Sequence, residues 1–179
     1  MKALNKRLII NINRGLLYLL ILTISACQQS AKGDPFAGCT YTEPEPIFSG
    51  SLRGVTHHDF QLAAQESSEN IQFDDGLKLN IKQSGCDHRK QAFQFELSGA
   101  YTTTNSRFWV RQVVEQLEGL AALGPEFVVF EHWSEAIARV ATKIKLSEST
   151  EIDEGFYVSV DRVLEKDHAI LMLTLSDQP

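Results

Sequence analysis

The apolar residues of this chain change their spacing twice, and that change restricts it to a fold combining a sheet with helices. Leu77, Leu79 and Ile81 alternate with Lys78, Asn80 and Lys82; Phe93, Phe95 and Leu97 alternate with Gln94 and Glu96. Such alternation gives a strand one apolar and one polar face. The pattern extends upstream to Asp59-Phe60-Gln61-Leu62, and Asp74-Asp75-Gly76 marks a turn after Ile71 and Phe73. Sheets with one wet face are commonly antiparallel.

Further along, the period lengthens. Trp109, Val110, Val113, Val114, Leu117, Leu120 and Ala121 fall on one helical stripe. Asn105 or Ser106 can cap it, and Gly124-Pro125 ends it. A second stripe runs Trp133, Ile137, Val140, Ala141, Ile144. The intervening Phe127-Val128-Val129-Phe130 suits either a strand or an extension of that helix, and the helix–helix connection is preferred. Both tryptophans lie on apolar stripes, the pattern of core residues.

Glu148-Ser149-Thr150-Glu151-Ile152-Asp153-Glu154-Gly155 reads as an acidic connection. Period two then returns in segments 156–164 and 168–176. In the last of these, Ala169, Leu171, Leu173 and Leu175 alternate with Ile170, Met172 and Thr174, so both faces are rather apolar. That places it as a central strand covered on one face by helices. The expectation is an α+β domain: an antiparallel sheet of about five to six strands, two helices packed on one face, in the order β(3–4)-α-α-β-β.

The amino-terminal residues carry a different message. Lys2, Lys6, Arg7 and Arg14 lead into the apolar run Leu16–Ile24, and small residues follow. This is the order of a secretory signal. The nine-residue run is too short for a bilayer span of ~20 residues. Ile24-Ser25-Ala26-Cys27 resembles the lipobox of bacterial lipoproteins. The resemblance implies cleavage before Cys27, diacylation of its thiol, and anchoring in the cell envelope, since two or more acyl chains hold a protein stably at a membrane. Gln28, where an Asp would favour retention at the inner membrane, implies an outer-membrane location facing the periplasm. Residues 1–26 are then a signal peptide, 27–46 a lipidated tether stiffened by Glu43-Pro44-Glu45-Pro46, and 47–179 a single α+β domain.

Removing 26 of the 179 residues leaves 153, enough for one core. The removed segment holds four Lys/Arg and no Asp/Glu, so net charge falls from −6 to −10. Such acidity disfavours nucleic acid, whose binding needs Lys and Arg to replace counterions, and leaves a cationic protein, a peptide or a metal ion as partners. With Cys27 acylated, Cys39 and Cys86 remain, and an oxidising compartment favours a disulfide between them. It would close a loop of about 47 residues, contribute ~4 kcal/mol on the chain-entropy account, and tie the start of the domain to a central strand.

Other chemistry is thinly signalled. His57-His58-Asp59, with His88 beside Cys86-Asp87, offers zinc or copper ligands, yet adjacent histidines on a strand face opposite ways and read better as solvated strand-edge residues. No metal ligands are assigned. His132 and Glu135 lack the spacing of a metalloprotease helix. The run 148–154 lacks the alternating ligands of a calcium loop and reads as a solvated loop. Thr102-Thr103-Thr104 has no His and Asp partners at a recognised spacing, and there is no Gly-x-Ser-x-Gly elbow. The expected function is that of a non-catalytic, cofactor-free envelope binding module for a protein or peptide, such as an inhibitor or immunity protein against a cationic hydrolase or toxin. A small lipid-anchored hydrolase and a periplasmic metal-handling protein through His57, His58 and His88 are the alternatives.

Overall fold

A computed structural model describes residues 34–179. The alternating segments form a meander of four strands, β1 (Val55–Ala63), β2 (Glu66–Phe73), β3 (Lys78–Ser84) and β4 (Lys90–Ser98). Short turns suffice because neighbours run antiparallel; Gly76, at φ 92°, takes the left-handed position of the β2–β3 turn. The chain then enters α1 (Ser106–Ala121), one 3-10 turn (Pro125–Phe127) and α2 (Val128–Val140). It returns to the sheet as β5 (Ser149–Asp153), β6 (Phe156–Leu164) and β7 (His168–Ser176). The sheet order is β1-β2-β3-β4-β7-β6-β5, with every neighbouring pair antiparallel.

The α+β class, the antiparallel sheet and the two helices agree with the sequence. The central place of the last strand agrees too, since β7 lies between β4 and β6. The strand count needs correction, to seven from five or six, and three strands follow the helices instead of two. The added strand is β5, in the acidic segment read as a loop. It is a short edge strand with only Thr150 and Ile152 turned to the core side, too few apolar residues to display a period.

Helix α1 begins where Asn105 Oδ1 accepts the Arg107 backbone N–H at 2.9 Å. Its stripe buries Trp109, Val110, Val113, Leu117 and Leu120. The Trp109 indole N–H donates to the Thr103 carbonyl at 3.0 Å, so the threonine run serves the helix start. Val128–Phe130 form the first turn of α2, in line with the preferred helix–helix connection. The helix stops at Val140, short of the expected stripe, and Ile144 is buried beyond its end. Phe130 is wholly buried, stacking on Phe48 and meeting Phe93 edge-on at a centroid separation of 6.0 Å.

The helices do not cover the apolar face alone. Residues 35–53 lead into the sheet, and Phe48 with Ile47 and Leu52 packs on that face as a third cover; Phe36 is buried as well. Glu69 on β2 is fully buried and accepts the backbone N–H groups of Ile47 and Phe48, each at 2.8 Å. Gln83 Nε2 donates to the Glu45 carbonyl at 2.8 Å. Cys39 and Cys86 are joined by a disulfide, and Cys86 lies in the β3–β4 turn, not on a central strand as expected. The bond therefore ties the leading segment to a turn at the edge of the core.

Candidate functional site

Because helices and leading segment all lie on one side, the sheet keeps a bare face. Register defines which residues share it. One row across the strands runs Asp59, Asn70, Asn80, Gln94, Met172, Asp161. The next rows carry Lys78, Glu96, Ile170 and Val163 on one side, and Lys82, Ala92, Thr174 and Ser159 on the other. This surface is mostly amide, hydroxyl and charge, with an apolar island at Ile170, Met172 and Val163.

Two hollows mark the face. The first, about 270 Å³, gathers the side chains of His57, Asn70, Asn80, Gln94 and Ile170. Asn80 Nδ2 donates to Asn70 Oδ1 at 2.7 Å and to Ser68 Oγ at 3.2 Å, while its Oδ1 is buried with no hydrogen-bond partner among the described residues. Lys78 Nζ pairs with Glu96 Oε1 at 2.7 Å on the rim; both are well exposed, and such pairs contribute little to stability. The second hollow, about 520 Å³, lies at the opposite ends of the strands, near the β3–β4 turn.

Asp177 organises the margin of that second hollow. Its Oδ2 accepts the Arg89 backbone N–H at 2.9 Å and the Tyr41 hydroxyl at 3.0 Å. His88 Nδ1 stands 3.8 Å from its Oδ1, and the Arg89 guanidinium lies 4.9 Å from the centre of the Tyr41 ring. Desolvation pushes the Asp177 carboxyl up, but the Arg89 N–H, the Tyr41 hydroxyl and His88 together outweigh it and hold the group below the usual carboxylate range. The bond to Asp177 and a share of burial raise the Tyr41 hydroxyl above its ordinary value, against a smaller pull from Arg89.

The residues singled out from sequence fall in separate places. Cys27 and the signal segment lie outside the described residues. His57 is on the bare face, whereas His58 faces the core and lies 2.9 Å from Glu69 Oε1 with little exposure. His58 is therefore a packed side chain, correcting its reading as a solvated edge residue. His88 sits in the far turn against Gln178, at 2.9 Å. Among the described residues no group of three or more His, Cys, Asp or Glu could hold a metal ion. His132 and Glu135 are exposed on α2, and the carboxylates of 148–154 are spread along an edge strand and its flanks. Sequence reasoning missed Glu69, Asn80 and Asp177. Each owes its role to a residue on another strand or segment, which no local spacing reveals.

No family model, curated protein or solved structure matches the chain. Among the described residues no helix is long and apolar enough to cross a membrane.

Proposed function

We propose that this protein is a non-catalytic binding module, held at the cell envelope by acylation of Cys27, that takes a protein or peptide partner on the bare face of its sheet. The observation that carries the reading is that face itself: seven strands wide, covered on the other side only, and set with half-buried amides around Asn80. Main-chain amides of a partner find donors and acceptors there, and Met172 and Ile170 supply apolar anchors. The net charge of −10 after loss of residues 1–26 steers a cationic partner. A basic hydrolase or toxin, restrained at the envelope surface, fits that charge. Outer-membrane placement follows from Gln28 by resemblance to lipoproteins.

The test places a photo-crosslinking residue at Gln94 on the bare face, or at Glu118 on the exposed side of α1, in the full-length chain. The expected result is a discrete protein adduct from Gln94 alone, weakening as salt rises. Adducts only from Glu118, or none from either, would overturn the reading. A Cys27→Ser chain should leave the membrane fraction; retention there would remove the anchor from the proposal.

A further inference from the structure

The two edges of the sheet differ in how open they are. β5 is five residues long, carries Glu151 and Asp153, and has a register shift between them. Shortness, charge and bulges are what keep an edge from pairing with another chain. β1 has nine residues, one formal charge at Asp59, and no lysine or proline. Its register shift falls between Val55 and His57, so residues 57–63 form a regular open edge.

Hydrogen bonding along β2 fixes which backbone groups of β1 face outwards. The Phe73 N–H donates to the Leu77 carbonyl on the β3 side at 2.9 Å. Its neighbours serve the β1 side: the Asp74 N–H donates to the Gly54 carbonyl at 2.8 Å, and the Gln72 carbonyl accepts the Thr56 hydroxyl at 3.0 Å. Alternation then turns Asn70 and Ser68 towards their partners Asp59 and Gln61, so the main chain of His58, Phe60 and Leu62 points away from β2. β1 ends the sheet order, and no further backbone bond reaches these three among the described residues. Two of their side chains also have no role in the core. Phe60 is half-buried and Leu62 is 38 % exposed, neither joins the apolar cluster under the helices, and their β2 partners are the polar Glu69 and Ser67.

Such an edge takes a strand, and β1 is complementary to itself. Set two copies antiparallel about a two-fold axis at Phe60. Phe60 then meets Phe60 of the second copy, and His58 meets its Leu62, so every pair with outward main chain is matched and about six interchain hydrogen bonds form. On the other side of the ladder Asp59 stands opposite Gln61, an amide donor, and no like charges face each other. Neighbouring registers are worse. An axis at Asp59 opposes two carboxylates, and one at Gln61 pairs His58 with Ala64, whose φ of 53° is not extended. An axis at His58 draws the irregular start of β1 into the ladder. We propose that this chain forms a two-fold dimer in which the β1 edges of two copies pair antiparallel about Phe60. The axis stands perpendicular to the sheet, so both bare faces look the same way and join into one wider surface. The dimer needs neither the acyl anchor nor a partner on the bare face, and it stands or falls apart from that reading.

Sedimentation velocity of the full-length chain in detergent should show a concentration-dependent dimer with a dissociation constant of about 100 μM or tighter. Leu62→Lys, at an exposed position, puts a charge on the edge and should weaken the dimer at least about tenfold with an unchanged urea midpoint. Val163→Lys, similarly exposed but on the bare face, should leave it unaltered. Mild oxidation reads the register. An equal mixture of Asp59→Cys and Gln61→Cys chains should crosslink at least about fivefold faster than either chain alone, because only directly opposed residues bring their Cα atoms within disulfide range. The proposal falls if the chain stays monomeric at several times that concentration, or if Leu62→Lys dimerises as well as the parent. It falls too if Val163→Lys breaks the dimer, or if either cysteine chain crosslinks by itself as fast as the mixture. A chain that stays monomeric yet holds a foreign peptide along β1 would assign the edge to another protein and overturn the dimer.

Discussion

His58 Nε2 lies 2.9 Å from Glu69 Oε1 at the boundary between the edge hairpin and the leading segment. With the His58 hydrogen on Nε2, the Glu69 carboxylate receives three donors: this ring and the N–H groups of Ile47 and Phe48. Glu69 is fully buried, and the three bonds are what make its burial tolerable. Removing the carboxylate leaves two backbone N–H groups and a ring nitrogen without partners. Glu69→Ala should therefore lower stability by about 2–4 kcal/mol, read as a lower urea midpoint, because each buried orphan costs about 1–3 kcal/mol before relaxation. Glu69→Gln keeps one acceptor oxygen and should fall between the two. Equal midpoints for all three chains would show that the leading segment does not depend on this clamp.

The disulfide acts on the same segment from its other end. Reduction, or the double variant Cys39→Ser/Cys86→Ser, frees a loop whose ends are 47 residues apart and should cost up to ~4 kcal/mol. The bonds of Glu69 and Gln83 keep residues 45–48 docked, so the loss should appear first as protease cleavage between residues 35 and 44. Cleavage beginning in β4 or β7 instead would contradict this order.

Phe130 sits where the helices, the sheet and the leading segment meet, near Phe48, Phe93, Phe127 and Trp133. Few collapsed alternatives exist for a hole bounded by rings from three layers. Phe130→Ala should thus cost about 3–5 kcal/mol by denaturant unfolding, the upper part of the range for a buried aromatic. Val129→Ala, one position along and exposed, should change it by less than about 0.5 kcal/mol.

How legible this fold is in the sequence depends on what each strand buries. β3, β4 and β7 show a clean period because every second residue, from Leu79 to Leu175, meets the helices or their neighbours. The first half of β2 reads Glu66-Ser67-Ser68-Glu69-Asn70 and has no apolar period, since the residues it buries are Ser67 and a glutamate satisfied from another segment. β5 is hidden for a related reason: an edge strand buries little. The start of α1 is readable from Asn105, whose side chain does the capping, whereas the end of α2 is not, because Ile144 is buried without being helical. The bare face follows another logic. Asn70, Asn80 and Gln94 are ten and fourteen residues apart in the chain, and only the strand register makes them neighbours.

The Tyr41–Asp177 hydrogen bond should mark both ends of the pH range of stability. Asp177 is held below the usual carboxylate range in the folded chain. Its contribution is therefore complete above the unfolded carboxylate value and lost as pH falls through the lower, folded one. Tyr41 is shifted the other way, above its ordinary value. Its contribution is complete below the unfolded tyrosine value, near 10, and lost as pH rises through the higher, folded one. Both groups are half-buried at the surface, so the effects should be modest and should shrink with added salt. Asp177→Asn should flatten the acid limb of the urea-midpoint profile and, by removing the charge that raises Tyr41, bring the tyrosine absorbance titration back towards its ordinary range. Tyr41→Phe should leave the acid limb only partly reduced, because the Arg89 N–H still bonds to the carboxylate. An unaltered tyrosine titration in Asp177→Asn would mean that the two side chains are not coupled in solution.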